Sequence, residues 1–269
     1  MSDEGRSFEE VLDEAQKEGY AEADPTFDVG GIDSTHKLTI IINLAFGISL
    51  DFKQIYTEGI TQISPLDIEL GKELGYTLKL LAIAKSKDGK LEARVHPSLV
   101  LNSDPIAKVG GVYNVVKIVG DAVEDLVLYG RGAGQGPTAS AVVSDVIDIS
   151  RDIQTSSGLS RFAKFPTDDT SVDLRPIETI SNRYYLRFTV EGRTTVVSQV
   201  SEILTNHGVR IESVTEKNQE SAKPGPLVVM TNTAIEGNVL EAVHEIEKLS
   251  GILGKGILIR VASTDLNGC

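Results

Sequence analysis

Cysteine is all but missing from this chain, with a single residue in 269, Cys269, at the last position. A lone thiol excludes a disulfide framework and a cysteine-built metal site. Histidine is nearly as scarce, at four residues. They are scattered without ligand spacing, so no metal site is expected. Basic residues are outnumbered 26 to 39, leaving a formal charge of −13 and a pI near 4.8. With no basic stripe to neutralise phosphates, nucleic acid is not expected as a partner. An anionic membrane surface is excluded on the same ground. Long hydrophobic runs are also lacking. The longest, Leu38 to Leu50, is broken by Asn43 and Gly47 and is too short to span a bilayer. Met1 is followed by acidic residues rather than a basic and then apolar stretch, so no signal peptide is read and a cytoplasmic location is expected.

What the chain does contain divides into two rhythms. Ser7-Phe8-Glu9-Glu10 has the form of a capping box and predicts a helix with Val11, Leu12 and Ala15 inward, stopped by Gly19. An acidic loop follows, then a helical stretch from Ile32 to Phe46 with Leu38, Ile41, Ile42 and Ala45 on one stripe. Ser64-Pro65 opens another helix, which Gly75 closes. The period then changes: Tyr76 to Ala84 and Leu91 to Val95 flank Asp88-Gly89, a hairpin signal. "GGVYNVVKIVG" and "DLVLYG" read as two further strands. The expected fold class is therefore α+β, an antiparallel sheet with covering helices, whose apolar face needs helices or a second subunit over it. Residues 151–179 are polar and weakly patterned, a linker between a unit at 1–150 and one at 180–269. The last ninety residues follow the order β-α-β-β-α-β, the ferredoxin-like unit.

The stretch from Gly19 to Gly47, "GYAEADPTFDVGGIDSTHKLTIIINLAFG", carries the chemistry. Asp33 and Lys37 are four apart at a helix start and share a face. An exposed pair of this kind contributes only a few tenths of a kcal/mol. Two features point beyond decoration. Gly30 and Gly31 permit close backbone approach just before the pair. The apolar helix that follows suggests burial, and a buried lysine is suited to proton transfer. His36 diverges from Lys37 around the helix and reads as a packing residue. His96 reads as structural, and His207 as a helix C-terminal residue favoured by the dipole.

The pattern Gly-Tyr-Ala-Glu-x-Asp-Pro, then Asp, then Gly-x-Asp-x-x-x-Lys resembles the catalytic segment of homoserine dehydrogenases. "GRGAGQGPTASAVVSDVI" resembles the family's second signature, and "RVHPSLV" and "VGGVYNVV" fit its intervening strands. The likeness covers about Ser7 to Ile149. It implies reversible reduction of L-aspartate 4-semialdehyde to L-homoserine with NADP or NAD, in the biosynthesis of threonine, methionine and isoleucine. On this resemblance Lys37 is the proton donor, with Asp33 beside it as a catalytic and substrate residue. Glu22, Asp28 and Tyr20 join Asp33 in holding the substrate, and Gly19, Glu22, Gly132 and Gly134 face the cofactor. A homodimer or higher oligomer is implied. The family's dinucleotide-binding half, with a G-x-G-x-x-G turn, is expected before this segment, but only six residues precede Ser7. "GRGAGQG", Gly130 to Gly136, fails that pattern at its last glycine. The chain thus matches the C-terminal two-thirds of the family, and a dinucleotide domain supplied in trans is a candidate partner. A second reading is a non-catalytic dimeric regulatory protein that binds an amino acid.

The C-terminal βαββαβ region resembles the ACT domain carried by many of these enzymes. It departs from the pattern in the loop after its first strand. Gly192-Arg193-Thr194-Thr195 stands where the family commonly has Asp-Arg-Pro-Gly, while Thr194 keeps the ability to cap a helix. Loss of the Pro-Gly removes the close-approach glycine, so threonine is expected to bind there weakly or not at all. Calorimetry with L-threonine checks this; a micromolar isotherm abolished by Arg193→Ala would contradict it.

Overall fold

The computed structural model describes residues 8–17, 25–87, 89–155, 173–191, 193–216 and 224–262. Helix α1 (Phe8–Lys17) comes first; Ser7, its expected cap, lies outside the described residues. The single turn α2 (Thr26–Val29) and helix α3 (Ile32–Phe46) follow. Gly31 and Gly47 bracket α3 with left-handed φ of 78° and 66°, a conformation glycine adopts without steric cost. Only Thr35, Leu38 and Ile42 of α3 are buried. Ile41 and Ala45, expected in the same stripe, are exposed. The reason is that α3 packs on the sheet along one narrow line, through Leu38 and Ile42.

Strand β1 (Tyr56–Thr57) leads to α4 (Pro65–Glu73), whose start is a complete capping box. The Asp67 amide donates to Ser64 Oγ at 3.3 Å and the Ser64 amide to Asp67 Oδ2 at 3.1 Å. Strands β2 (Tyr76–Lys87) and β3 (Lys90–Leu101) form the predicted hairpin, with Gly89 at φ 75°. Strands β4 (Tyr113–Gly120) and β5 (Glu124–Arg131) pair with each other in a separate two-stranded sheet rather than extending the first. Helix α5 (Gln135–Thr155) then runs into the span expected as linker. At the far end of that span lies β6 (Asp173–Leu174), followed by a 3-10 turn at Ile177–Thr179.

The remaining elements are β7 (Ser181–Val190), α6 (Arg193–Asn206), β8 (Ile211–Glu216), β9 (Gly225–Thr231), β10 (Ala234–Ile235), α7 (Glu236–Ile246) and β11 (Ile252–Val261). The spatial order β11-β7-β9-β8, with antiparallel neighbours, is that of a βαββαβ unit. The sheet does not stop at this unit. The edge of β3 away from β2 takes three short parallel partners: β6 at Lys90–Leu91, β1 at Arg94–Val95 and β11 at Ser98–Leu99. The result is one mixed nine-stranded sheet instead of the expected antiparallel one. The parallel joins span two residues each and link distant segments, so they leave no periodic trace in the sequence.

Strand β7 sorts its side chains by period two. Tyr184, Leu186, Phe188 and Val190 pack against Val196, Val200 and Leu204 of α6 and Val239, Ala242 and Ile246 of α7. Tyr185 faces the other way, into a cluster with Leu70 of α4, Tyr76 of β2 and Leu99 of β3. Arg187, on that second face, meets buried Asp67 of α4 with Nε–Oδ1 at 2.5 Å and Nη2–Oδ2 at 3.1 Å. Elements from the first half of the chain therefore cover the second face of the C-terminal sheet.

Burial alone raises the Asp67 carboxyl, but the Arg187 guanidinium and the Ser64 groups outweigh it and hold the carboxyl below its usual value. Its stabilising contribution is then fully present above the unfolded value of about 3.9 and is lost as pH falls through the folded one. Asp67→Asn is expected to cost about 2 kcal/mol at neutral pH. It should also flatten the loss of stability below pH ~4, read from urea midpoints across that range.

Candidate active site

The candidate site is built around the double-glycine turn between α2 and α3. Backbone bonds tighten this turn: the Val29 amide donates to the Pro25 carbonyl at 2.9 Å and the Gly30 amide to the Thr26 carbonyl at 2.9 Å. The segment after β1 presses against it. A Cβ on Gly59 would lie 2.7 Å from the Gly30 Cα and would strike the Val29 carbonyl. Gly59 is therefore required by approach, as Gly31 is by conformation. The Ile60 amide donates to the Val29 carbonyl at 2.8 Å, and the Thr35 and Thr57 hydroxyls share a hydrogen bond at 2.8 Å.

This clamp fixes the first turn of α3, from which Asp33 projects, with Lys37 one turn further along. Lys37 Nζ donates to Asp33 Oδ2 at 2.6 Å. The side chains are 59% and 46% exposed, which overturns the expected burial of the lysine. The apolar character of α3 misled here, because its hydrophobic residues are themselves partly exposed, Ile40 at 60% and Leu44 at 52%. Asp28, in α2 just before the glycines, is exposed as well. Gly19, Tyr20 and Glu22 lie outside the described residues. The arrangement offers an accessible ammonium one turn from a carboxylate, at a helix start held by backbone contacts. Such a pair can polarise and protonate an oxygen while a carboxylate holds a substrate cation.

The glycine-rich segment forms the turn between β5 and α5. The Gly132 amide donates to the Val112 carbonyl at 3.2 Å, and Gly134 has φ 113°. A Cβ on Gly132 would run into the Asn114 side-chain amide, lying 2.9 Å from its Oδ1, so Asn114 occupies that approach. Among the described residues, no atom lies within 4 Å of a Cβ placed on Gly130 or Gly136, and one on Gly134 meets the Pro137 ring at 3.7 Å.

His36 packs between Phe27 and Phe52, with ring centroids at 6.2 Å and 4.5 Å. His207 pairs with Glu245 of α7 at 2.9 Å. Of the polar face of β3, only His96 was expected to be structural. Glu92, Arg94, His96 and Ser98 alternate with Leu91, Ala93, Val95 and Leu99, and all eight are buried. Arg94 Nε donates to His96 Nε2 at 2.9 Å. Because arginine has only donors, the imidazole carries its proton on Nδ1, which lies 3.0 Å from the Pro97 carbonyl. Burial, with the Arg260 and Arg94 charges beside it, pushes His96 well below the usual histidine range. The alternation of charged and apolar residues in "LEARVHPSLV" was the available signal, and it ordinarily marks a strand with one solvated face. Among the described residues no group of three or more His, Cys, Asp or Glu is arranged to hold a metal ion, and no helix is long and apolar enough to cross a membrane.

The homoserine dehydrogenase family model matches residues 1–147. A homoserine dehydrogenase of Pseudomonas aeruginosa is 42% identical over 97% of this chain and 61% of its own length. One from Helicobacter pylori is 40% identical over 95% of this chain and 59% of its own. The crystal structure of a homoserine dehydrogenase from Thiobacillus denitrificans superposes with a TM-score of 0.88 at 40% identity, covering 97% of this chain and 60% of that one. This chain thus spans about 61% of the length of such a relative. With its signature segments inside the matched region and its fold shared over nearly the whole length, the chain belongs to the homoserine dehydrogenase family.

Proposed function

We propose that this chain carries the substrate-handling part of a homoserine dehydrogenase and that, together with a dinucleotide-binding domain, it interconverts L-aspartate 4-semialdehyde and L-homoserine. The observation that supports this most is the Asp33–Lys37 pair, accessible to solvent and set behind the Gly30–Gly31 turn by the Gly59 contact. A nicotinamide dinucleotide, NAD or NADP, supplies the hydride when bound. As negative charge grows on the aldehyde oxygen, the Lys37 ammonium stabilises it and delivers the proton that completes the hydroxyl. Asp33, with Asp28, Glu22 and Tyr20, holds the ammonium and polar groups of the amino-acid substrate. Gly134, with Gly132, Gly19 and Glu22, is assigned to the cofactor-facing wall. We assign residues 1–150 to the catalytic part and 180–269 to an ACT-type unit, with 151–179 between them. The setting is amino-acid biosynthesis in the cytoplasm.

The second part of this reading is a homodimer. On the β4–β5 hairpin Leu128 is 54% and Tyr129 60% exposed, with Ile118, Leu126 and Val127 beside them in sequence and register. Helix α5 adds Val142, Val143, Val146 and Ile149. Apolar surface on this scale is characteristic of an interface. Sedimentation at micromolar concentration is expected to give a dimer, and Leu128→Glu to shift it toward monomer. A compact wild-type monomer would defeat the dimer reading.

The catalytic reading is tested in the chain joined to a dinucleotide-binding domain of a relative. Lys37→Ala is expected to lower kcat by about 10²–10⁴, the scale of a general acid. Asp33→Ala should raise KM as well, since it holds substrate in ground and transition states alike. A merely solvated pair would cost less than about 1 kcal/mol of stability and nothing in rate. Turnover near wild type in Lys37→Ala would overturn the assignment.

A further inference from the structure

Arg260 of β11 is almost completely buried, with a side chain 2% exposed, and it touches three groups drawn from both halves of the chain. Its Nε lies 2.9 Å from Glu236 Oε1 and 3.0 Å from Oε2, and its Nη2 also donates to Glu236. Glu236, at the start of α7, is fully buried and also accepts from the Tyr184 hydroxyl at 3.1 Å. These contacts belong to the C-terminal unit. The other arm reaches out of it. Arg260 Nη1 donates to Glu58 Oε2 at 2.7 Å and Nη2 to the Tyr56 hydroxyl at 3.1 Å, while Tyr56 itself donates to Glu58 Oε2 at 2.9 Å.

Tyr56 and Glu58 belong to the segment that clamps the candidate site. Thr57 lies between them and bonds to Thr35; Gly59 and Ile60 come next and press on the Val29–Gly31 turn. The Glu58 amide donates to the Val95 carbonyl at 2.8 Å, and a Cβ on Gly31 would sit 3.3 Å from Val95 Cγ1. Three elements thus converge behind the first turn of α3: β3 from below, the Tyr56–Ile60 segment from the side, and Arg260 behind that segment. Two carboxylates and one phenol engage all three nitrogens of the guanidinium, in a geometry that a lysine cannot reproduce.

We propose that Arg260 and Glu58 are positioning residues for the site: the C-terminal unit, through this pair, holds the 56–60 segment against the Gly30–Gly31 turn and so sets where Asp33 and Lys37 stand. The proposal rests on the reading of Lys37 and Asp33 as the reacting pair, and extends it by making the C-terminal sheet part of the site's support. Both act through the 56–60 segment and not by contact with the reacting groups. Displacing the turn by a fraction of an ångström moves the lysine relative to the oxygen it protonates, and misplacements of that order lower rates steeply.

Glu58→Gln is the informative variant, because it cuts the charged link to the clamp while leaving Arg260 its buried partner Glu236. Arg260→Lys is the second, retaining charge and losing the fork. Hydrogen exchange is measured on the full chain without substrate or cofactor. In Glu58→Gln the amides of Ile60 and Thr35 are expected to exchange at least about tenfold faster, while those of Leu186 and Val229, paired in the C-terminal sheet, stay at the wild-type rate. Arg260→Lys should share the effect at Ile60. Joined to a dinucleotide-binding domain, Glu58→Gln should also lose turnover by about ten- to a hundredfold. Unchanged exchange at Ile60 and Thr35, or equal acceleration in both regions from general loss of stability, would overturn the proposal. Lys37→Ala serves as the control for the reaction itself. Should that variant keep its turnover, the catalytic reading fails, and the exchange rates still decide whether the clamp depends on Glu58 and Arg260.

Discussion

Strand β3 is buried on both faces and paired on both edges, and most of the architecture follows from satisfying it. One face is apolar and takes α3 through Leu38 and Ile42 against Leu91, Ala93 and Val95. The other presents Glu92, Arg94, His96 and Ser98, none of which can be left without partners once water is excluded. Arg94 pairs with Glu92 and donates to His96 Nε2, and its Nη2 reaches Asn182 Oδ1 at 3.4 Å at the start of β7. The C-terminal unit meets β3 through this polar layer and through the apolar cluster of Leu99 with Tyr185 and Ile259. A neutral His96 fits such a place, since a third cation beside Arg94 and Arg260 would be strongly disfavoured.

Two further polar ties join the halves. Asp67 meets Arg187 beneath the C-terminal sheet, and Arg260 meets Glu58 at its edge. Burial raises Tyr56 to about 12 against the lowering pull of Arg260, so the phenol stays protonated and donates to Glu58. Buried pairs like these contribute less net stability than their short distances suggest, because each ion has lost its water. What they specify is register. An Arg with five donors accepts few alternative placements of the strand that carries it.

The contrast with the β4–β5 hairpin and α5 is instructive. There, among the described residues, the apolar side chains are exposed, and Tyr113 stacks on Tyr129 at 4.8 Å with the Arg131 guanidinium 5.7 Å from the Tyr113 ring. One region of the chain satisfies its groups internally; the other presents them outward. The site segment lies in the first region, held by backbone and threonine contacts, while Asp28, Asp33 and Lys37 reach solvent.

Much was legible in the sequence because it depends on local chemistry. Gly75 and Gly89 end or turn elements where a positive φ is required, Ser64 and Pro65 open a helix, and the C-terminal βαββαβ order follows from its periodicities. The motif residues Asp33 and Lys37 are one helical turn apart whatever the tertiary fold. Their exposure was not legible, because the burial of a helix face depends on what lies opposite. Nor could spacing reveal that β3 carries its charges inward, since alternation is the same whether the polar face meets water or a second layer of protein. The parallel joins of β3, the approach of Gly59 to Gly30 and the reach of Arg260 to Glu58 unite residues up to about two hundred positions apart. Those were decided by tertiary structure alone, because contacts between distant segments leave no period in the chain and form only when burial forces each charge to find its counterpart.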